Sequence, residues 1–160
     1  MHHTPAVLFV CLGNICRSPL AEAAFRAAAE REGLTVHAES AGLGKWHLGY
    51  PPDPRAQAVA RRNGIEIGQK RARLVTEDDF HRFDHVIGLD TENLAGLRRL
   101  APADGKAEVS LLLDHVVGRQ GQSVADPYYE DDSAFDDAWS DACAGADGLI
   151  ERLKAEPPRR

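Results

Sequence analysis

The first regular pattern in the chain is an unbroken apolar run, Ala6-Val7-Leu8-Phe9-Val10. Continuous rather than alternating hydrophobicity predicts a strand covered on both faces, as in parallel sheets. The run stops at a glycine-containing turn, Cys11 to Arg17, and Ser18-Pro19 then reads as an N-cap with proline at the first helical position. Leu20, Ala24, Phe25 and Ala28 follow at helical spacing, and Gly33 closes that helix. A second strand is predicted from Thr35 to Ser40. Asp53-Pro54 repeats the cap-plus-proline start, with Asn63-Gly64 as its stop. Thr76-Glu77-Asp78-Asp79 has the form of a capping box opening a short helix.

His85-Val86-Ile87-Gly88-Leu89 is the third predicted strand, and it feeds a helix holding Leu94, Leu97 and Leu100. Glu108 to Leu112 is the fourth, although Leu111-Leu112-Leu113 could equally begin a helix. Beyond a Gly/Gln-rich loop and Asp126-Pro127-Tyr128-Tyr129, Ser133-Ala134-Phe135-Asp136 is expected to cap a last helix. Its apolar stripe is Phe135, Trp139, Ala142, Ala146, Leu149 and Leu153. Strand followed by helix, repeated about four times, specifies an α/β fold with a mostly parallel sheet. Ligands of such sheets sit beyond the carboxyl ends of the strands near a switch in strand order, so the loop after the first strand is the first place to search.

Composition narrows the function. With 160 residues, 43% apolar and 28% charged, the chain reads as one globular domain with a core from about residue 6 to 153 and a short polar tail, Pro157-Pro158-Arg159-Arg160. The 19 Lys and Arg against 25 Asp and Glu leave a net charge of −6, which disfavours nucleic acid and anionic membranes as partners. No apolar stretch reaches membrane-spanning length, and the first residues lack the cationic and cleavage features of a signal peptide. Three cysteines, Cys11, Cys16 and Cys143, are too few for a disulfide framework, so a cytoplasmic protein is expected.

The loop Cys11-Leu12-Gly13-Asn14-Ile15-Cys16-Arg17-Ser18 carries the chemistry. A cysteine ends a buried strand, an arginine follows after five intervening residues, a glycine permits tight backbone, and a helix starts at once. Such a loop can turn its amide N–H groups toward one point, beside the positive end of the helix. Arg17 adds a planar fork matched to two oxygens of a phosphate. A thiol of ordinary pKa, about 8.5, is only a few per cent thiolate at pH 7, and functional cysteines are shifted to roughly 3.5–7.5. A helix end contributes at most about 2 kcal/mol of the roughly 4 kcal/mol that a 3-unit shift requires, so amides and guanidinium must supply the rest. The same loop suits a phosphoryl dianion. A lone cysteine is ordinarily a small core hydrophobe, but these neighbours at these spacings argue for a nucleophile. A nucleotide-binding P-loop is excluded because Gly44-Lys45 is followed by Trp46 and Glu39 stands where the first glycine is needed. Cys11 and Cys16 lack metal-ligand spacing, and no metal or other cofactor is expected.

Val-Leu-Phe-Val-Cys11-Leu-Gly-Asn-Ile-Cys-Arg17-Ser18-Pro19-Leu-Ala-Glu-Ala resembles the signature of the low-molecular-weight protein tyrosine phosphatases. Ser40-Ala41-Gly42, Trp46, Pro52-Asp53-Pro54-Arg55-Ala56, Leu89-Asp90 and Asp126-Pro127-Tyr128-Tyr129 extend the match in order from about Val7 to Leu153. The resemblance implies a flavodoxin-like three-layer sandwich, a four-stranded parallel sheet with helices on both faces. It places the nucleophile on Cys11, the phosphate-clamping arginine on Arg17 and the general acid/base on Asp126, where an isolated Asp-Pro would read as a turn cap. Leu12, Gly13, Asn14, Ile15, Cys16 and Ser18 form the phosphate loop, with Ser40 in support. Trp46, Tyr128 and Tyr129 form the aromatic rim, Trp46 having a core role as its alternative. Cys16 matches the family's redox partner, Cys143 reads as packing, and Asp90 is either a loop support or a helix cap.

The resemblance further implies hydrolysis of phosphotyrosine in proteins or peptides through a cysteinyl phosphate, by a monomer, with inorganic phosphate as product and inhibitor. Related enzymes that act on phosphoarginine carry threonine where this chain has Ile15, which favours phosphotyrosine. Lys70 and Leu74 depart from the family's usual histidine and glutamine on either side of Ala72-Arg73, so a hydrogen bond behind the phosphate loop is open to question. An arsenate reductase on the same scaffold would need further cysteines between Thr76 and Leu100, and there are none. A non-catalytic phosphate-binding module would need neither the thiol nor the acid.

Overall fold

Four parallel strands run in the order β2-β1-β3-β4, namely β1 (Ala6–Cys11), β2 (His37–Gly42), β3 (His85–Gly88) and β4 (Glu108–Leu111). The computed structural model describes residues 4–156; the first three residues and the tail Pro157-Pro158-Arg159-Arg160 lie outside the described residues. The helices are α1 (Arg17–Arg31), α2 (Pro54–Arg62), α3 (Asp79–Arg82), α4 (Thr91–Leu100) and α5 (Asp132–Ala155).

Period-2 alternation along the central strand sorts its side chains into two cores. Val7, Phe9 and Cys11 join the cluster built with α1, α2 and α5, whereas Leu8 and Val10 join Phe80, Phe83 and Leu97 from the α3–α4 side. Helices therefore cover both faces, which is why β1 reads as a continuous apolar run. The chain leaves β1 for β2 on one side and returns to β3 on the other, so the switch in strand order falls at the carboxyl end of β1.

Local differences from the expected elements have physical reasons. The second strand starts at His37 rather than Thr35, because β1 begins at Ala6, the register partner of His37. Helix α1 starts at Arg17 with Cys16 in the cap position, and Leu20 N–H makes its first bond to Cys16 O at 3.3 Å. Ser18 is not the cap: its hydroxyl is engaged by the phosphate loop. Pro19, inside the first turn, replaces an N–H that would have no helical acceptor. Asp53 and Asp90 cap α2 and α4 as their sequences suggest. Helix α5 is capped by Asp131 rather than Ser133, whose N–H and hydroxyl both donate to the Asp131 carboxylate. The ambiguous leucines divide: Leu111 ends β4 and Leu112–His115 coil into a 3₁₀ turn.

Candidate active site

β1 delivers Cys11 to the switch point, and α1 begins six residues later with Arg17, so Cys11–Arg17 must close into a tight arch. Asn14 makes this possible. It adopts φ 59°, the left-handed region, alone among the non-glycine described residues. Its amide holds the conformation: Nδ2 donates to Ser18 Oγ at 2.8 Å and to Ser40 Oγ at 2.9 Å, and Oδ1 accepts from Arg73 N at 3.1 Å. Asn14 and Ser18 thus brace the arch from behind, with Ser40 reaching in from β2. Ser18 Oγ also lies 3.0 Å from Cys11 Sγ, placing a hydroxyl beside the sulfur.

Arg17 is only 4% exposed and is pinned at one end. Its Nη1 donates to Asp90 Oδ2 and to Val124 O, both at 2.8 Å, while Nη2 lies 3.7 Å from Asp126 Oδ2. A buried guanidinium needs such partners, since an unpaired one carries a large desolvation cost. Asp90 serves both roles that its sequence left open, because its other oxygen accepts from Asn93 N and caps α4. Asp126 Oδ1 in turn accepts from Tyr128 N at 3.1 Å, so the Asp-Pro turn aims the carboxylate over the loop.

Around the loop lies a cavity of about 450 Å³ lined by Cys11, Leu12, Gly13, Ile15, Cys16 and Arg17 from below and by Trp46, His47, Asp126, Tyr128 and Tyr129 at the sides. Trp46 is 71% exposed, so it belongs to the rim and not to the core. Gly44 makes room for its indole, since a Cβ there would fall 1.9 Å from the ring. Tyr129 stands edge-on to Tyr128 with centroids 4.8 Å apart, and His47 approaches Tyr128 at 6.0 Å. These rings suit a flat aromatic leaving group. Burial, followed by the nearby Asp53, Cys11 and Asp126, pushes the Cys16 thiol far up, so it stays protonated. Cys143 is half-buried on α5 against the core.

Four contributors went unassigned in the sequence. His47 joins the rim. Arg55 holds Tyr128 O at 2.9 Å and Asp53 at 3.1 Å, tying the tyrosine loop to α2. Arg73 supplies the amide behind Asn14, and Val124 supplies a carbonyl to Arg17. Arg55 and Arg73 stand within stretches compared with the family, but no local pattern marks His47 or Val124. The unusual Lys70 is likewise accounted for: its Nζ lies 2.5 Å from Glu22 Oε2, a buried carboxylate on α1 that Arg26 also contacts at 2.8 Å. Leu74 forms a parallel bridge to Gly42, so the strap bearing Arg73 runs along the end of β2.

A cysteine, an anchored arginine and an acid thus stand around one phosphate-sized loop, in a chain with many known relatives. Residues 6–159 match the family model described as low molecular weight phosphotyrosine protein phosphatase. The low molecular weight protein-tyrosine-phosphatase YfkJ of Bacillus subtilis is 41% identical over 153 residues, covering 94% of this chain and 97% of its own. The crystal structure of Primo-1 superposes with a TM-score of 0.90 at 35% identity, covering 94% of this chain and 99% of that one. A Drosophila arginine phosphatase has the same fold, with a TM-score of 0.88 at 26% identity over 98% of this chain and all of its own. The loop, the fold and a match over nearly the full length converge: the chain belongs to the low molecular weight phosphotyrosine protein phosphatases, enzymes that hydrolyse phosphotyrosine by a cysteine–arginine–aspartate mechanism.

Proposed function

We propose that Cys11, Arg17 and Asp126 carry the two steps of this hydrolysis. Cys11 sulfur attacks phosphorus in line, while the loop amides and Arg17 hold the equatorial oxygens. The P–O bond to the aryl group breaks, and Asp126 gives its proton to the departing oxygen. Asp126, now a carboxylate, takes a proton from water as that water attacks the cysteinyl phosphate. Inorganic phosphate leaves and the cysteine is regenerated. The single observation behind this assignment is the pinned guanidinium: Arg17 Nη1 is committed to Asp90 and Val124, so Nη2 stays fixed next to Asp126. A preorganised cation of this kind needs no reorganisation when charge develops.

The proposal extends to tyrosine-phosphorylated proteins or peptides as substrates of a monomeric, cytoplasmic, single-domain enzyme that its product phosphate inhibits. One feature supports the substrate reading: Ile15, 7% exposed, gives the cavity an apolar wall fitted to an aryl ring. No helix among the described residues is long and apolar enough to cross a membrane.

Turnover of p-nitrophenyl phosphate and phosphotyrosine peptide by wild type, Cys11→Ser and Asp126→Asn tests the roles. Activity should vanish in the first variant and fall by about 10²-fold or more in the second. Undiminished turnover in Cys11→Ser would end the covalent mechanism. Faster turnover of phosphoarginine than of phosphotyrosine would reassign the substrate.

A further inference from the structure

Residues 72–75 do not line the phosphate cavity, yet they are hydrogen-bonded to three parts of its frame. Ala72 N donates to Tyr50 O and Ala72 O accepts from Gly49 N, both at 2.9 Å, which fixes the foot of the loop bearing Trp46 and His47. Arg73 N donates to Asn14 Oδ1 at 3.1 Å inside the phosphate loop. Arg73 O accepts from Gly42 N at 2.8 Å, and Val75 N donates to Gly42 O at 2.9 Å. Gly42 is a tight joint. A Cβ there would fall 2.9 Å from Leu12 O and 3.1 Å from Asn14 Cβ, so the phosphate loop packs directly on the residue that this segment grips.

The segment is itself held by a buried carboxylate. Asp79 is fully buried at the start of α3, a helix fixed in the second core by Phe80 and Phe83. Its Oδ2 accepts from Arg73 Nη1 at 3.0 Å and from Thr76 N at 2.8 Å, and its Oδ1 accepts from Arg73 Nη2 at 3.2 Å. Two parallel bonds of this kind fix the plane of a guanidinium. Arg82 Nη1 stands farther off, at 3.4 Å. Arg73 Nη2 also donates to Glu39 Oε1 at 3.1 Å, next to the Ser40 that Asn14 holds. Desolvation offsets much of the attraction in a buried pair, so what the Asp79 fork contributes is direction more than stability.

We propose, resting on the assignment of Cys11 as nucleophile, that Asp79 is a positioning residue for the phosphate loop and acts through the side chain of Arg73. The connection runs from the Asp79 carboxylate to the Arg73 guanidinium, from the Arg73 amide to Asn14, from Asn14 to Ser18 at 2.8 Å, and from Ser18 to Cys11 Sγ at 3.0 Å. Asp79 touches neither the cavity nor the reacting atoms. Because the same segment carries Gly49 and Tyr50, a shift in it moves the aromatic rim together with the loop. Substrate binding and turnover therefore change together.

Asp79→Asn keeps the size of the side chain and an acceptor for Thr76 N, but sets an NH₂ group against one guanidinium nitrogen and breaks the fork. Arg73→Lys keeps the charge and the backbone amide but replaces the fork by a point charge. Each should lower kcat on p-nitrophenyl phosphate about tenfold, within the roughly 10²-fold that a misplacement of about 1 Å can cost. Each should also raise KM and the inhibition constant of inorganic phosphate. The pH midpoint for alkylation of Cys11 by iodoacetamide should move up, because the thiolate loses the Ser18 hydroxyl as a donor. The double variant should be no worse than the more damaged single one. A merely structural role lowers the folded fraction, which scales kcat but leaves KM, phosphate inhibition and the alkylation midpoint at their wild-type values. That result would overturn the positioning role, as would losses that multiply in the double variant. Arg73 is one-third exposed, so Arg73→Lys decides the matter on the same three readouts should Asp79→Asn fail to fold. Absence of p-nitrophenyl phosphate hydrolysis in wild type would instead overturn the mechanism beneath it.

Discussion

Asn14→Ala tests how the phosphate loop is held. The substitution removes three hydrogen bonds, to Ser18, Ser40 and the Arg73 amide, at 2.8, 2.9 and 3.1 Å. Each contributes a net stabilisation of about 1 kcal/mol, and Ser18, which is fully buried, has no solvent to replace its bond. Alanine must also adopt φ 59°, which costs an L-residue with a Cβ about 1–2 kcal/mol. The expected loss is therefore about 4 kcal/mol in urea unfolding, a large share of the 5–15 kcal/mol typical of a domain. Asn14→Gly loses the same three bonds without the conformational cost and should be about 1 kcal/mol more stable than the alanine variant. Both should lose kcat on p-nitrophenyl phosphate, because Ser18 is then free to leave Cys11. Equal stability of the alanine and glycine variants would refute the role of the backbone conformation. A loss below about 1 kcal/mol in both would refute the side-chain bracing.

Two further outcomes follow from charged groups away from the loop. Burial first, then Arg152 and His85, press the His115 imidazole below its ordinary value, so the native state favours the neutral ring. Below about pH 6.5 the unfolded chain binds a proton that the native chain resists, and stability falls as the pH drops further. His115→Gln, which can retain a contact with Ser110, should flatten the decline of the urea midpoint between pH 7 and 5, and an unchanged slope would refute this. Lys70→Met leaves the buried Glu22 carboxylate to Arg26 and should cost about 1–2 kcal/mol, less than a fully buried broken pair because Lys70 is partly exposed. Lys70→His regains the pair only while its imidazole is protonated. Its folded pKa is raised by Glu22, so that stability is present below about pH 6.5 and lost at higher pH. Parallel urea midpoints for wild type and Lys70→His from pH 5.5 to 8 would exclude the pairing.

The parts of the fold that were legible in the sequence are those that depend on neighbours a few residues away. The apolar run of β1, the Asp53-Pro54 start of α2 and the cysteine-to-arginine arch are all local patterns, and each lies where the pattern puts it. Ser18 shows the limit of such reading. As the serine of a Ser-Pro pair it looks like a cap, but Asn14 and Cys11 compete for its hydroxyl once the arch closes, and the cap moves to Cys16. The strand at His37 shows a second limit, because its start depends on where β1 begins, some thirty residues earlier.

The clamps on the site are longer in range still. Asn14 meets Arg73 across 59 residues, Arg17 meets Asp90 across 73, and Arg17 meets Val124 across 107. No periodicity encodes these pairs, which only the order β2-β1-β3-β4 brings to one end of the sheet. The same geometry resolves the apparent conflict between an acidic chain of net charge −6 and an anionic substrate. Arg17 is the positive side chain of the loop and already faces two carboxylates, Asp90 and Asp126, so formal charge does not attract the phosphate. What favours it is preorganisation: a guanidinium held from behind by Asp90 and Val124, at the start of α1. A net-charge argument bears on partners that read a broad face, such as nucleic acid, but not on a ligand that meets one arch.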